Sequence, residues 1–431
     1  MRHWAFRLLV SLVGVLAVVL AVAYVLQVYP RRVPHPPLKL ARGTLVLRHA
    51  RIYVSPTDPP IDDGTILIRD GLIAAVGPEG VGHDVQVPAG ATELPCDHCV
   101  VTAGFWNAHV HFTQPRWAGA EWKSAAALNA GLTDMFLSRG FTTVVDLGSN
   151  PADTLSIRRR VEYGQLDGPF IYTAGASLYP PHGIPYYLRE SLPKWMLMMM
   201  PQPDTPAEAE RIVRDNLAAG ADVTKLFTGS WVERGRVLPM PLAIAKAAVN
   251  TSHLNGRIVF AHPSNLQGTR VAIDSGVDVL AHAANETTGI DAPLLNSAIR
   301  NNMAMIPTIK MFITQEQFPE RIMLPVYAQV RQFHELGGTL LFGTDVGYMT
   351  DYSTDGEFEA LGKCGLTSTD VLAMLTTNPA ARMSASSQKG TVTVSKLADL
   401  TVLDADPAAA LTNFSRVRMT IRSGRVVYRR P

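Results

Sequence analysis

The sequence of 431 residues predicts an α/β protein: a (β/α)8, TIM-type barrel inserted into a small split β-sandwich, behind an N-terminal transmembrane helix. Three observations support this fold class. The long middle of the chain alternates apolar strand-like runs with helical stretches, short strands flank it on both sides, and an uncharged apolar run precedes everything else. The predicted divisions are an anchor and stalk, the first part of the sandwich, the barrel, and the second part of the sandwich, at residues 1–40, 41–104, 105–385 and 386–431.

The composition is typical of a folded globular protein. Hydrophobic residues make up 47% and charged residues 18%, which excludes a disordered or fibrous chain. Three cysteines are too few for a scaffold built on disulfides. The formal net charge is +2, but five basic residues and no acidic ones lie in the first forty, so the remainder carries 34 basic and 37 acidic side chains. The excess of positive charge therefore belongs to the leader, which favours a membrane surface as a partner and not nucleic acid.

Residues 8–28 form the apolar run of the leader. They contain no charged side chain and follow Arg2 and Arg7. At about 1.5 Å per residue a helix of this length spans roughly 30 Å, the thickness of a bilayer core. The apolar core of a secretory signal is usually about 7–15 residues long, so the length favours an uncleaved anchor. Ala21-Val22-Ala23 resembles a cleavage site and keeps a cleaved signal as the alternative. We expect the folded part to lie outside the cytoplasm, on the periplasmic side.

Short strands are predicted on both sides of the barrel. Before these strands, residues 29–37 contain four prolines and are predicted to form a stiff, extended stalk. Asp70-Gly71 is a turn signal between two of the early strands. The two sets are expected to pair as one small β-sandwich. The predicted strands are 44–47, 51–54, 65–68 and 72–76 before the barrel, and 391–394, 400–403, 417–421 and 426–428 after it.

The middle of the chain contains eight candidate strands separated by helical stretches such as 206–219 and 266–275. The second of these helices ends at Gly276, a residue suited to a helix C-terminus. Eight strand–helix units in about 280 residues match the number and size of a (β/α)8 barrel, and a doubly wound sheet is the alternative. The candidate strands are 102–110, 142–146, 170–174, 223–227, 258–262, 279–282, 305–309 and 340–345.

Polar side chains follow the ends of these strands. In the first strand two histidines are separated by one residue, so both side chains point to the same side. A lysine ends the fourth strand among apolar neighbours, where an unpaired charge would be unfavourable. The carboxyl ends of barrel strands converge on one face, where enzyme sites lie. The residues concerned are His109, His111, Lys225, His262, His282 and Asp345.

Six motifs make the sequence from Thr44 to Tyr428 resemble the amidohydrolase superfamily, and most of all its imidazolonepropionase-like and Xaa-Pro dipeptidase-like branch. Two positions depart from the family pattern: Asn107 replaces an acidic residue, and Ser395 replaces a glycine. The motifs are VTAGFWNAHVH at 101–111, GFTTVVD at 140–146, GADVTK at 220–225, GTD at 343–345, TNPA at 377–380 and KLADL at 396–400.

This resemblance implies a metal-dependent hydrolase of carbon–nitrogen bonds with two divalent ions. Zn²⁺ is the first candidate, and Mn²⁺ and Co²⁺ suit the same ligands. Lys225 would carry a carbamate derived from CO2 and bridge the ions. A hydroxide between the ions would attack the amide, and Asp345 would act as general base and then general acid. The implied ligands are His109, His111, Lys225 and Asp345 for one ion, and Lys225, His262 and His282 for the other.

The sequence leaves other functions open. One is a mononuclear deaminase or cyclic-imide hydrolase of the same fold, although deaminases usually place a glutamate three residues after the fifth-strand histidine and here that position is Asn265. Another is a membrane-tethered binding protein without activity, which the intact ligand set disfavours.

Substrate contacts are expected from two loops of the barrel. His182 and Tyr186 follow the third strand, and Arg234 follows the fourth and is suited to bind a carboxylate. The methionine-rich run at 194–200 is expected to form a lid or a packing helix. The expected partners are a small-molecule amide, such as a dipeptide or an N-acyl amino acid, and the membrane. Nucleic acid is not expected, a homo-oligomer is left open, and Cys96 and Cys99 are close enough in sequence to pair.

Overall fold

The computed structural model describes residues 14–18, 38–79, 85–314 and 317–431. Residues 14–18 are helical, and the rest of the predicted transmembrane segment 8–28, together with the whole of the predicted stalk at 29–37, lies outside the described residues. Within the described ranges, no helix combines the length and the apolar character that crossing a membrane requires. The prediction for the leader therefore stays a prediction.

Eighteen strands are present in the described part of the chain. In chain order they are β1 (Thr44–Ile52), β2 (Ile61–Arg69), β3 (Leu72–Pro78), β4 (Thr92–Leu94), β5 (Val100–Ala103), β6 (Phe105–Val110), β7 (Phe141–Asp146), β8 (Phe170–Thr173), β9 (Thr224–Phe227), β10 (Gly229–Glu233), β11 (Arg236–Pro239), β12 (Val259–His262), β13 (Val279–Ala281), β14 (Ala304–Ile306), β15 (Thr339–Leu340), β16 (Leu400–Leu403), β17 (Val417–Arg422) and β18 (Arg425–Arg429).

The helices connect the barrel strands and cover the outside of the barrel. Their bounds are Ala125–Met135, Pro151–Glu162, Tyr186–Ser191, Lys194–Leu197, Pro206–Ala219, Leu242–Leu254, Leu266–Ser275, Ala292–Arg300, Ile309–Thr314, Glu320–Glu335, Asp355–Lys363, Ser368–Leu375 and Thr377–Arg382, with short 3-10 turns at Leu137–Arg139 and Leu411–Ser415.

Strands from the two flanks of the barrel pair in one mixed sheet, in the order β18-β17-β16-β5-β1-β2-β3, with β4 beside β1. The pairing across the barrel joins β16 to β5, with Leu400 opposite Ala103. This sheet has a hydrophobic core of its own, which includes Leu47, Val101 and Ile421. A disulfide joins Cys96 to Cys99 at the edge of that core.

Eight parallel strands form the barrel, as two runs: β6-β7-β8 and β9-β12-β13-β14-β15. Backbone hydrogen bonds close the two gaps between the runs. The amide of Leu178 donates to the carbonyl of Lys225 over 2.9 Å, and the amide of His111 donates to the carbonyl of Val346 over 2.8 Å. The predicted barrel is therefore confirmed, and the doubly wound alternative is wrong because the strands close into a ring.

Several predicted strands differ from the observed ones. The prediction of a strand at 391–394 is wrong, since the chain there forms bends and turns, and the predicted strands 44–47 and 51–54 lie in and around the single strand β1. Two barrel strands differ most in extent. The run 102–110 is divided at Gly104 between β5 of the mixed sheet and β6 of the barrel, where a Cβ atom would lie 2.3 Å from Thr142 Oγ1. The run 340–345 is a strand only to Leu340. Beyond it the backbone turns into the left-handed region at Asp345, with φ of 59°, which ends the extended conformation.

The two helices predicted in detail begin and end where the sequence places them. Helix Pro206–Ala219 starts behind Thr205, whose side chain accepts from the amide of Glu208. Helix Leu266–Ser275 ends at Gly276, which takes a left-handed φ of 84°.

Candidate active site

The six polar residues predicted at strand ends lie together at the carboxyl edge of the barrel. They come from β6, β9, β12 and from the positions that follow β6, β13 and β15. His109, Lys225, His282 and Asp345 are each less than 5% exposed, so this part of the cluster is nearly closed to water. Parallel strands of one barrel end at the same edge, which is why residues distant in sequence meet here.

The carboxylate of Asp345 is the centre of the cluster. Its Oδ1 lies 3.0 Å from Nε2 of His111 and 3.3 Å from Nε2 of His109, and its Oδ2 lies 3.8 Å from Nε2 of His282. The ring of His262 lies 4.6 Å from that of His282, centroid to centroid. Four imidazoles and one carboxylate thus face a common space.

The outer nitrogens of two imidazoles are held by neighbouring groups. Nδ1 of His111 lies 2.8 Å from the carbonyl oxygen of Gly148, which can only accept, so this nitrogen donates. Nδ1 of His282 lies 2.5 Å from Oγ1 of Thr308. With Nδ1 engaged, Nε2 of each ring is directed to the centre, an arrangement typical of histidines that bind metals.

Burial sets the protonation of the histidines. Burial lowers the pKa of His109, His262 and His282 well below the ordinary value, and the charge of Lys225 adds to the effect for all three. These rings are therefore neutral, which is the form that binds a metal. At His111 burial also acts to lower the pKa, but the hydrogen bond and the negative charge of Asp345 outweigh it and raise the pKa.

Lys225 is buried as the second residue of β9 and not at the strand end predicted for it, because β9 continues to Phe227. Its Nζ lies 5.5 Å from the ring centroid of Phe227. Burial lowers its pKa to about 7, although the charge of Asp345 acts in the opposite direction. A substantial fraction of this amine is therefore neutral near neutral pH, and a neutral amine is a nucleophile.

The donor set fits a divalent metal ion. Ligand atoms of His109, His282 and Asp345 all lie within 4.8 Å of one another. In the described part of the chain, Oδ1 of Asp345 is buried and faces Nε2 of both His109 and His111. Imidazole with carboxylate is a preferred ligand set of Zn²⁺. These atoms are consistent with an ion between them.

A cavity of about 820 Å³ opens above the cluster. Tyr186 and Arg234, two of the predicted substrate contacts, line it. The guanidinium of Arg234 lies 4.9 Å above the ring of Tyr186, and it forms an ion pair of 3.5 Å with Glu190. The run 194–200, predicted as a lid or packing helix, contributes Trp195 and three methionines to the wall of the cavity.

His182 does not reach this cavity. Its side chain is exposed and is not among the residues of the described chain that line the space. The reason is a tight turn, in which the amide of Gly183 donates to the carbonyl of Pro180 over 2.8 Å and His182 takes a left-handed φ of 54°. The predicted contact of His182 with a substrate is not supported by this placement.

Asn107 and Thr308 contact members of the cluster, and the sequence predicted a role at the site for neither of them. Asn107 lies two positions before His109 on β6, so the period-two rule for strands places both side chains on one side. Thr308 follows β14, the one strand in the second half of the barrel whose end had no predicted role. Both signals were present in the sequence, but neither residue type is a usual metal ligand.

The chain is similar to one known protein family and to several solved structures. The model of the Amidohydrolase family matches residues 100–427. A solved Xaa-Pro dipeptidase with methionine bound in its active site is 21% identical, with a TM-score of 0.76 over 90% of this chain and all of that one. A putative prolidase from Bifidobacterium longum is 25% identical, with a TM-score of 0.73 over 90% of this chain and 95% of the other. Phenylurea hydrolase B is 18% identical, with a TM-score of 0.72 over 89% of this chain and 96% of the other.

Proposed function

This chain belongs to the amidohydrolase family and is a metal-dependent hydrolase of carbon–nitrogen bonds, and we propose that its substrate is the amide of a dipeptide or an N-acyl amino acid. The observation that carries the proposal is the Asp345 carboxylate, which lies within 3.0–3.8 Å of three imidazole nitrogens at the end of an open cavity. The likeness to a dipeptidase and to a prolidase supports the dipeptide.

Two metal ions would be held by the six clustered residues. One would be bound by His109, His111, Lys225 and Asp345, and the other by Lys225, His262 and His282. Zn²⁺ is the first candidate, while Mn²⁺ and Co²⁺ also suit imidazole and oxygen ligands. When bound, such ions lower the pKa of water and polarise a carbonyl group.

Lys225 would act as a carbamate. Its neutral Nζ would form a bond to the carbon of CO2 and lose a proton to solvent, which turns the neutral amine into an anionic carbamate. The pKa of about 7 supports this step because the neutral amine is available without strong base. An unmodified ammonium at this place would repel any cation held by the neighbouring imidazoles.

Asp345 would transfer the proton. Its carboxylate accepts a proton from the attacking water and passes it to the nitrogen of the leaving amine. Oδ1 of Asp345 lies 3.0 Å from Nε2 of His111 and 3.3 Å from Nε2 of His109, so the carboxylate is beside the nitrogens that would hold the ion. The left-handed backbone of Asp345 is a strained conformation of the kind found at active sites.

Arg234 would bind the free carboxylate of the substrate. Its guanidinium is 77% exposed at the mouth of the cavity and has Tyr186 as a flat support beneath it. A carboxylate can replace Glu190 as its partner and form two hydrogen bonds. Replacing Arg234 by methionine is expected to raise KM with little change in kcat, because the contact is the same in the ground state and the transition state.

A mononuclear deaminase or cyclic-imide hydrolase is the second candidate. The compact group of His109, His282 and Asp345, which is sufficient for one ion, favours it. Against it, Asn265 occupies the position of the deaminase glutamate, and its side chain instead accepts from the amide of Gly268 at the start of a helix. Two ions per chain would support the amide hydrolase, and one ion with an unmodified Lys225 would support the alternative.

We also propose that the enzyme is anchored in the membrane and faces the periplasmic side, with a cleaved secretory signal as the alternative. The apolar run 8–28 behind Arg2 and Arg7 supports this location. The disulfide between Cys96 and Cys99 fits an oxidising compartment. Alkaline phosphatase fused after Pro37 should be active. An inactive fusion, together with an active cytoplasmic reporter at the same point, would contradict the proposal.

The reaction can be tested by product analysis in oxygen-labelled water. We expect the metal-loaded protein to release a free amine and a carboxylate that contains one labelled oxygen. Release of ammonia without cleavage of the substrate chain would instead indicate a deaminase.

A further inference from the structure

Two short helices at the mouth of the cavity leave their apolar side chains incompletely covered. Helices Tyr186–Ser191 and Lys194–Leu197 lie wholly in the described chain, and neither contains a buried residue. The side chain of Trp195 is 55% exposed, and those of Met196 and Met199 are each 39% exposed. Apolar side chains that stay exposed at the opening of a cavity indicate a surface to which an apolar group binds.

These side chains are part of the same cavity as the polar cluster. Trp195, Met196 and Met199 line the cavity that ends at Asp345. Aromatic rings continue the apolar wall inward, with Tyr179 stacked on Phe227 at 4.5 Å and Phe227 on His262 at 4.8 Å. Leu188, Leu197 and Met200 pack against Tyr179 and Phe227, so the apolar wall extends from the two helices and the residues after them to the imidazoles.

Apolar residues also form part of the opposite side. Met311, Phe312 and Phe318 line it, with the two phenylalanine rings parallel at 6.2 Å. Among the described lining residues outside the polar cluster, the charged side chains are Asp153 and Arg234. Asp153 is engaged by the backbone amide of Ala120 at 2.9 Å. A small polar dipeptide would leave most of this surface in contact with water.

We propose that the amide substrate carries a large apolar group, such as a long acyl chain or an aryl group, that packs against the wall formed by Trp195, Met196 and Met199. The inference rests on the proposed amide hydrolysis and narrows its substrate class. The cavity of about 820 Å³ is large enough for such a group together with an amino acid. Methionine side chains adapt to different apolar shapes, so this wall can pack against apolar substrate groups of different shape.

Met198 provides an internal control for this proposal. It belongs to the same methionine run and is 85% exposed, but it does not line the cavity. A substrate inside the cavity contacts Trp195 and Met199 and not Met198, whereas a membrane or protein partner on the outer surface of the segment would contact Met198.

Binding of two sulfonamides to the metal-loaded, full-length protein tests the proposal by calorimetry. N-methanesulfonyl-L-leucine and N-decanesulfonyl-L-leucine resist hydrolysis and differ only in chain length. Burial of one methylene is worth up to about fourfold in affinity, so we expect the long-chain compound to bind on the order of a hundredfold more tightly. Trp195→Ser and Met199→Ser should each lower this preference about tenfold, because each removes part of the apolar wall. Met198→Ser should keep the wild-type preference.

Equal affinity for the two compounds, or no binding of either, would overturn the proposal. A preference lost in Met198→Ser but kept in Trp195→Ser and Met199→Ser would also overturn it, because the chain would then lie on the outer surface. Hydrolysis is measured separately with N-acetyl- and N-decanoyl-L-leucine. Long-chain binding without hydrolysis of either amide would support the apolar site and count against the proposed reaction.

Discussion

Asn107 donates a hydrogen bond from its side-chain amide to Oγ1 of Thr344 over 2.7 Å. Its carbonyl oxygen accepts from the backbone amides of His109 at 3.3 Å and of Thr344 at 3.2 Å. One fully buried side chain thus joins β6, which carries His109, to the segment that carries Asp345. One of the two positions where this chain departs from the family pattern therefore connects two of the residues that we assign to the metal.

Replacing Asn107 by alanine should lower both stability and metal content. The change removes the side-chain acceptor of the His109 amide and one of the two acceptors of the Thr344 amide, and an unsatisfied buried group costs about 1–3 kcal/mol. Asn107→Asp should retain more metal, since a carboxylate still accepts both backbone amides. Thermal unfolding and elemental analysis measure the two effects.

Asn129→Ala is the control for this change. The side-chain oxygen of Asn129 accepts a hydrogen bond of 2.9 Å from the backbone amide of Asp167, and neither residue lines the cavity. We expect this variant to lose stability while it keeps its metal. Full metal content in Asn107→Ala would show that the connection does not position the ligands.

Asp345→Asn should lower kcat by about 10²-fold or more, the scale of lost general acid–base catalysis. The amide cannot accept and return the proton. Because Asp345 is also assigned to a metal, the metal content of the variant must be measured together with its rate. Asp351→Asn is the matched control: this carboxylate, in the same loop, pairs with Lys310 at 2.7 Å, and its loss should leave kcat nearly unchanged.

Lys225→Ala and Lys225→Arg should both lose metal and most of the activity. Alanine has no amine, and the guanidinium of arginine stays charged and forms no carbamate. A small added carboxylate should partly rescue the alanine variant. The carbamate itself should give a carbon-13 NMR signal in labelled CO2 that is absent from both variants.

Lys389→Arg should keep that signal. Lys389 is also buried, but its ammonium group is paired with the carboxylate of Asp399 at 2.9 Å. This ion pair favours the charged amine, so we expect no carbamate on Lys389. A metal-loaded enzyme with full activity and no carbamate signal at Lys225 would refute the modification.

The buried carboxyl group of Glu357, which lies outside the catalytic cluster, should make the free energy of unfolding depend on pH. It accepts from the amides of Ile309 and Lys310, and burial raises its pKa from 4.5 to about 7. The folded protein therefore binds this proton more tightly than the unfolded chain. The stabilisation that results is complete below pH 4.5 and is lost as the pH rises to about 7, at up to about 1.4 kcal/mol per pH unit.

Glu357→Gln should remove this contribution, because glutamine does not titrate. The free energy of unfolding of wild type minus variant should therefore fall as the pH rises through this interval. Denaturant unfolding at several pH values measures the difference. Parallel pH profiles for the two proteins would show that Glu357 has an ordinary pKa in the folded state.

The sequence predicted the residues of the cluster because they obey a local rule. His109 and His111 alternate along one chain segment, and the other members lie on or after later strands of the barrel, so the period of a strand and the polarity of a barrel are enough to bring them together. The barrel itself was predictable because eight apolar runs and their helices have characteristic spacing.

The parts that escaped prediction depend on contacts between distant segments. The side-chain amide of Asn107 connects two segments only because Thr344 lies opposite it. The residues next to either position in the sequence do not predict that contact. The exposure of His182 depends on how the turn from Pro180 to Gly183 closes. β15 ends at Leu340, and soon after it the amide of Phe342 donates to the carbonyl of Met374 over 3.0 Å, a contact that an isolated apolar run does not reveal.

The most direct test of the central claim follows free amine released by the full-length protein from dipeptides and N-acyl amino acids. Release is measured in the untreated enzyme, after removal of metal by a chelator, and after Zn²⁺ or Mn²⁺ is added back. We predict that chelation abolishes release and that added metal restores it in wild type but not in Asp345→Asn. Release that continues at the full rate in chelator would contradict the assignment of the His and Asp cluster as a metal-dependent hydrolytic centre.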